Sequence, residues 1–115
     1  MCIHPLQFSN DGLLNTLIYT AAFNVAPSDI VVVKNQTLVW DCQATGTPRP
    51  IIIWKKNRTD VNPGFPSRVT ILANGSLMII NVREEDEGLY QCHASNRLGE
   101  HVVQAALVIR GEKKY

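Results

Sequence analysis

Cys42 and Cys92 stand fifty positions apart, and each lies in a stretch that alternates apolar and polar residues. Within residues 37–44, Leu38, Trp40, Cys42 and Ala44 share one side, and Thr37, Asp41 and Gln43 share the other. Within residues 89–94, Tyr90, Cys92 and Ala94 fall together. A side-chain period of two is a strand pattern, so both cysteines face a buried side. No Cys-x-x-Cys pair occurs, and His4, His93 and His101 are scattered, which speaks against a zinc site. A Cys42–Cys92 disulfide fits better. Closing a loop of that length stabilises a chain by roughly 4 kcal/mol in the chain-entropy model. Such a bond implies an oxidising compartment. Cys2 is left over.

The rest of the chain repeats this grammar. Residues 29–34 are β-branched; residues 51–55 put Ile52 and Trp54 on one side; residues 68–72 form another short run. Asn74-Gly75 is a two-residue hairpin signal, expected to place both residues at positive φ. Leu77 and Ile79 then oppose Met78 and Ile80, and residues 101–110 put Ala105, Leu107 and Ile109 together. "TGTPRP" and the stretch around Pro63, Gly64 and Pro66 break the pattern. No segment carries a 3.6-residue period. About seven short strands in under ninety residues imply an all-β, two-sheet antiparallel sandwich.

These residues resemble the immunoglobulin superfamily, and most closely its I-set. The carriers are Cys42, Trp54 twelve positions later, and Asp86-x-Gly88-x-Tyr90-x-Cys92, with "GTPRPIIIW", "NGSLMIINV" and "ASNRLGE" followed by "AALVI". The resemblance covers residues 25–110. It implies a Greek-key sandwich in which Cys42 and Cys92 tie the sheets and Trp54 packs on the bond. It also implies that the Tyr90 hydroxyl satisfies a backbone group at a corner, and that Asp86 pairs with Arg68. Trp40 departs from the pattern, which usually has a smaller aliphatic residue there. A second inward indole needs room and a partner for its N–H.

Residues 1–24 fall outside that match, and two readings fit them. "LLNTLIYTAA" has the apolar character of a signal peptide, although the preceding segment has no Lys or Arg and Asn15 interrupts it. Alternatively, "YTAAFNVAP" echoes "VQAALVIRG", as if the chain began inside a preceding repeat whose partner cysteine for Cys2 lies upstream. Residues 111–115 read as a linker.

Composition narrows the function. A net charge of +1 gives no field for nucleic acid, and no run of eighteen apolar residues spans a membrane. "REEDE" reads as a solvated loop with one structural acid, Asp86, and no nucleophile elbow or phosphate loop is present, so catalysis, cofactors and metals are not expected. Three N-x-S/T sequons, at Asn35, Asn57 and Asn74, agree with an extracellular site for N-glycosylation. Recognition by a surface remains. The candidate contact face is Ile51, Ile53, Leu89, His93 and Gln104, facing other immunoglobulin-type or extracellular proteins, a second copy of the chain included. A basic group, Arg49, Lys55, Lys56 and Arg58, is a candidate for sulfated glycosaminoglycan. The resemblance implies a non-catalytic recognition or spacer module of a multidomain adhesion molecule, receptor or matrix protein. The alternative it allows is a cytoskeletal domain with reduced cysteines.

Overall fold

A computed structural model describes residues 7–8, 17–61 and 68–111, with side chains from residue 19 onward. Cys2, the Pro63-Gly64-Pro66 stretch and residues 112–115 of the expected linker lie outside the described residues. The strands are β1 (Gln7–Phe8), β2 (Leu17–Val25), β3 (Ile30–Val33), β4 (Leu38–Trp40), β5 (Gln43–Thr47), β6 (Ile51–Lys56), β7 (Thr59–Asp60), β8 (Val69–Ile71), β9 (Leu77–Ile79), β10 (Gly88–Asn96) and β11 (Gly99–Arg110). A 3₁₀ turn, Glu84–Asp86, leads into β10.

One layer runs β3-β11-β10-β6-β7. The facing layer is β8-β9-β4, continued past Asp41 and Cys42 by β5-β2-β1. Among the described residues, the pairings are antiparallel except β3 with β11, which is parallel, Ile30 opposite Leu107 and Val33 opposite Arg110. The inward side chains of both layers form one core, in which Trp54, Leu77, Ile79, Val82, Leu107 and the two cysteines are fully buried. The architecture is the sandwich that the alternation implied.

The N-terminal boundary differs from expectation. The domain was expected to open at residue 25, after a leader over residues 1–24. Instead β2 already pairs with β5, Phe23 opposite Ala44 and Tyr19 opposite Thr47. Ala21 is wholly buried, and Gly46 leaves the room: a Cβ there would meet the Ala21 Cα at 3.0 Å. The side-chain amide of Asn96 donates to Tyr19 O and Pro48 O, both at 3.0 Å, and so fastens β2 to the end of β10. From Tyr19 on, the residues of the apolar run that resembled a signal core lie in a strand paired with β5.

The tight turns also differ. Of Asn74 and Gly75, only Gly75 has positive φ, +98°. Leu72 N donates to Ser76 O and Gly75 N to Leu72 O, so the β8–β9 loop has three residues rather than two. The two-residue loop with both residues left-handed is Asn57-Arg58, between β6 and β7, with φ of +48° and +71°.

Candidate functional site

Strand β10 organises the molecule because its two sides do separate work. On the inward side, Cys92 is bonded to Cys42. Trp54, opposite Cys92 in register, is fully buried and donates its indole N–H to Gly75 O at 2.8 Å. Gly75 must be glycine: its φ is left-handed, and a Cβ would sit 2.7 Å from Cys42 O. Trp40, the unexpected second indole, lies 5.6 Å from Trp54 and edge-on to Tyr90 at 5.4 Å between ring centres. Its N–H finds a partner in Ser28 O at 3.0 Å, in the segment that joins β2 to β3.

The corner below Cys92 is closed by charge. The Tyr90 hydroxyl donates to Asp86 O at 2.6 Å. Arg68 forks onto the Asp86 carboxylate with two bonds of 3.1 Å and also donates to Ile80 O and Asn81 O. Burial opposes the charge on Asp86, but the bonds from Arg68 and from the Arg83 backbone N–H outweigh it. The carboxyl is therefore held below the ordinary carboxylate range. Burial first, then the neighbouring Asp86 charge, pushes the Tyr90 hydroxyl well up. Within "REEDE", Asp86 is not the only acid that acts on the fold: Glu87 accepts from Ile109 N at 2.8 Å, and Glu85 lies 3.3 Å from Arg83. Among the described residues, no three His, Cys, Asp or Glu side chains converge as metal ligands would.

The outward side is built in rows across β6, β10 and β11. Ile53, His93 and Val102 lie side by side; the next row is Lys55, Gln91 and Gln104; beyond it Leu89 is opposite Ala106. Ile51 is 66% exposed, Ile53 41%, Val102 46% and Leu89 48%. Val102 carries as much exposed apolar surface as its neighbours, and alternation along β11 marked it, yet it is not among the expected contact residues. His93 is outward but covered, its side chain 13% exposed, with Nε2 3.1 Å from Gln91 Oε1 and Nδ1 3.6 Å from Glu100 Oε1. Gln104 is exposed and accepts from Gln91.

The basic group does not assemble. Arg49 precedes β6 and Arg58 follows it, so a strand of six residues, roughly 20 Å, separates them. Lys55 and Lys56 point to opposite sides: Lys55 pairs with Asp60 at 3.8 Å, while Lys56 donates to Glu85 O and lies over the Tyr90 ring. The three sequon asparagines are all exposed: Asn35 after β3, Asn57 in the β6–β7 turn and Asn74 in the β8–β9 turn.

Comparison with known proteins agrees with this architecture. The family model described as the immunoglobulin I-set domain matches residues 21–109. That range opens inside β2, the strand that pairs with β5. The chain is 42% identical over 78 residues to the peroxidasin homolog of Mus musculus, covering 68% of this chain and 5% of that protein. It is 34% identical over 116 residues to neogenin of Homo sapiens, covering 96% of this chain and 8% of that protein. It thus spans less than a tenth of either relative. A solved structure of Drosophila OTK, extracellular domains 3-5, superposes with a TM-score of 0.75 at 33% identity, over 91% of this chain and 38% of that one. The chain belongs to the immunoglobulin superfamily and is an I-set domain of the kind found in multidomain adhesion and receptor proteins.

Proposed function

We infer that this domain is an extracellular, non-catalytic recognition module, and that it binds through the outward side of β6, β10 and β11. One observation carries the reading. Ile51, Ile53 and Val102 stand exposed together on one side of the sheet, while the inward side of the same strands is saturated by the disulfide, the indoles and the corner. The partner that such a face fits is another immunoglobulin-type sheet, in a second copy or in a different protein. The extracellular placement is supported by the Cys42–Cys92 bond, by three exposed sequon asparagines and by likeness to extracellular domains of OTK. Arg49, Lys55, Lys56 and Arg58 are not gathered as a sulfated glycosaminoglycan would need.

Two measurements test this. Beads coated with the secreted domain should cluster, and Ile53→Asp should abolish clustering with an unchanged circular dichroism spectrum. Equal behaviour of the two proteins leaves a spacer. Mass measurement before and after reduction of protein from its natural source checks the compartment; free Cys42 and Cys92 would return the domain to reducing cytosol.

A further inference from the structure

Asn57 ends β6 in an unusual way. Its backbone N–H donates to Leu89 O at 2.8 Å, and its side-chain Oδ1 accepts from Leu89 N at 3.2 Å. With the backbone turned to φ +48°, the side-chain amide stands where the carbonyl of a continuing strand would. One more rung is thereby added to the β6–β10 ladder. Gly88 makes this fit: a Cβ there would lie 3.1 Å from Asn57 Oδ1 and 3.2 Å from Nδ2. The amide is thus held in one orientation on a residue that stays exposed. It stands at the rim of a shallow hollow of ≈ 310 Å³ that Arg58, Leu89, Gln91 and Gln104 complete.

We propose that Asn57, the first residue of the sequon Asn57-Arg58-Thr59, carries an N-linked glycan whose first sugars lie over this hollow. The glycan masks the Leu89 end of the sheet and leaves the Ile51–Ile53–Val102 end as the contact surface. The proposal rests on the extracellular reading above. An oligosaccharide on a lipid diphosphate is the donor: the bond from Asn57 Nδ2 to the sugar C1 forms, the C1–O bond to the diphosphate breaks, the diphosphate leaves with the electron pair, and the amide gives up one proton. The bond to Leu89 uses Oδ1, so the substituted amide keeps it. Ile51 lies six residues back along β6, about 20 Å at the rise of a strand, which takes it clear of the first sugars.

The chain, secreted from cultured cells, and its Thr59→Val variant would be compared. Thr59 is exposed in β7, and valine keeps the strand and both Asn57 bonds while removing the sequon. Glycans on Asn35 and Asn74, if attached, are common to both proteins. The expected result is an Asn57 peptide that shows the asparagine-to-aspartate mass shift after enzymatic deglycosylation. Hydroxyl-radical labelling of Leu89 should be severalfold lower in the wild type than in Thr59→Val, with Ile51 and Ile53 labelled alike in both. An unmodified Asn57, or equal labelling of Leu89 in the two proteins, overturns the proposal. Neither readout involves a partner, so loss of bead clustering and loss of the glycan are separate outcomes.

Discussion

Along β10, neighbouring residues meet opposite fates. Tyr90, Cys92 and Ala94 are buried, and the first two are committed to a corner bond and a disulfide. Leu89, Gln91 and His93, one position away from each, meet solvent or a loose polar net. The two sides share one backbone and one register. What separates them is how many constraints each side chain satisfies. The inward side is recognisable in the sequence because its constraints fix residue types; the outward side follows from alternation alone, and few constraints on its residue types say what it meets.

This contrast can be broken at several points. Cys92→Ala should cost about 2–5 kcal/mol, read as a shifted urea midpoint or as failure to secrete; an unchanged midpoint would deny the disulfide its role. Asp86→Ala should cost about 2–3 kcal/mol, less than a fully buried pair because Arg68 keeps 25% of its side chain in water. The Asp86 carboxyl is held below its unfolded value, so its contribution is present above about pH 4 and is lost as pH falls through the lowered value. Asp86→Asn should therefore flatten the acid limb of stability, measured by denaturant midpoints from about pH 5 down to well below pH 4. Tyr90→Phe should cost about 1–2 kcal/mol, since Asp86 O loses its donor. On the other side of the strand pair, Ile53→Asp should change stability by less than about 1 kcal/mol. A large loss there would mean that the outward side is part of the core, and the contrast would fail.

What the sequence disclosed follows the same division. Cys42, Trp54, Asp86, Tyr90 and the alternating strands were legible because packing and hydrogen bonding tie a residue type to a place. Strand β2 was not. Residues 17–24 look like a leader because their partner, β5, is identified by a small Gly46 and by an Asn96 amide, features that no local pattern announces. The turn chemistry misled for a related reason. Asn74-Gly75 has the dipeptide favoured by a two-residue turn, yet Leu72 and Ser76 close a longer loop around it. Asn57-Arg58 carries the left-handed pair instead, stabilised by the side-chain rung to Leu89 rather than by a glycine. The basic residues were close in number but are divided by the length and the two sides of β6. Val102 was overlooked although its alternation was visible, because exposure depends on what covers a strand, not on which way it faces.

The parallel β3–β11 pair has a mechanical consequence. Among the described residues, Tyr19 of β2 is held by Asn96 near the β10–β11 hairpin, and Arg110 lies at the far end of β11. Tension between these points runs along the strands. It loads the rungs from Ile30–Leu107 to Val33–Arg110 sideways and together, so they share the load instead of opening one after another. Stretching single molecules should show one cooperative rupture; gradual lengthening at low force would contradict it. Closure by parallel strands loaded in shear, rather than by a hairpin that unzips, is the feature that such a pull would read.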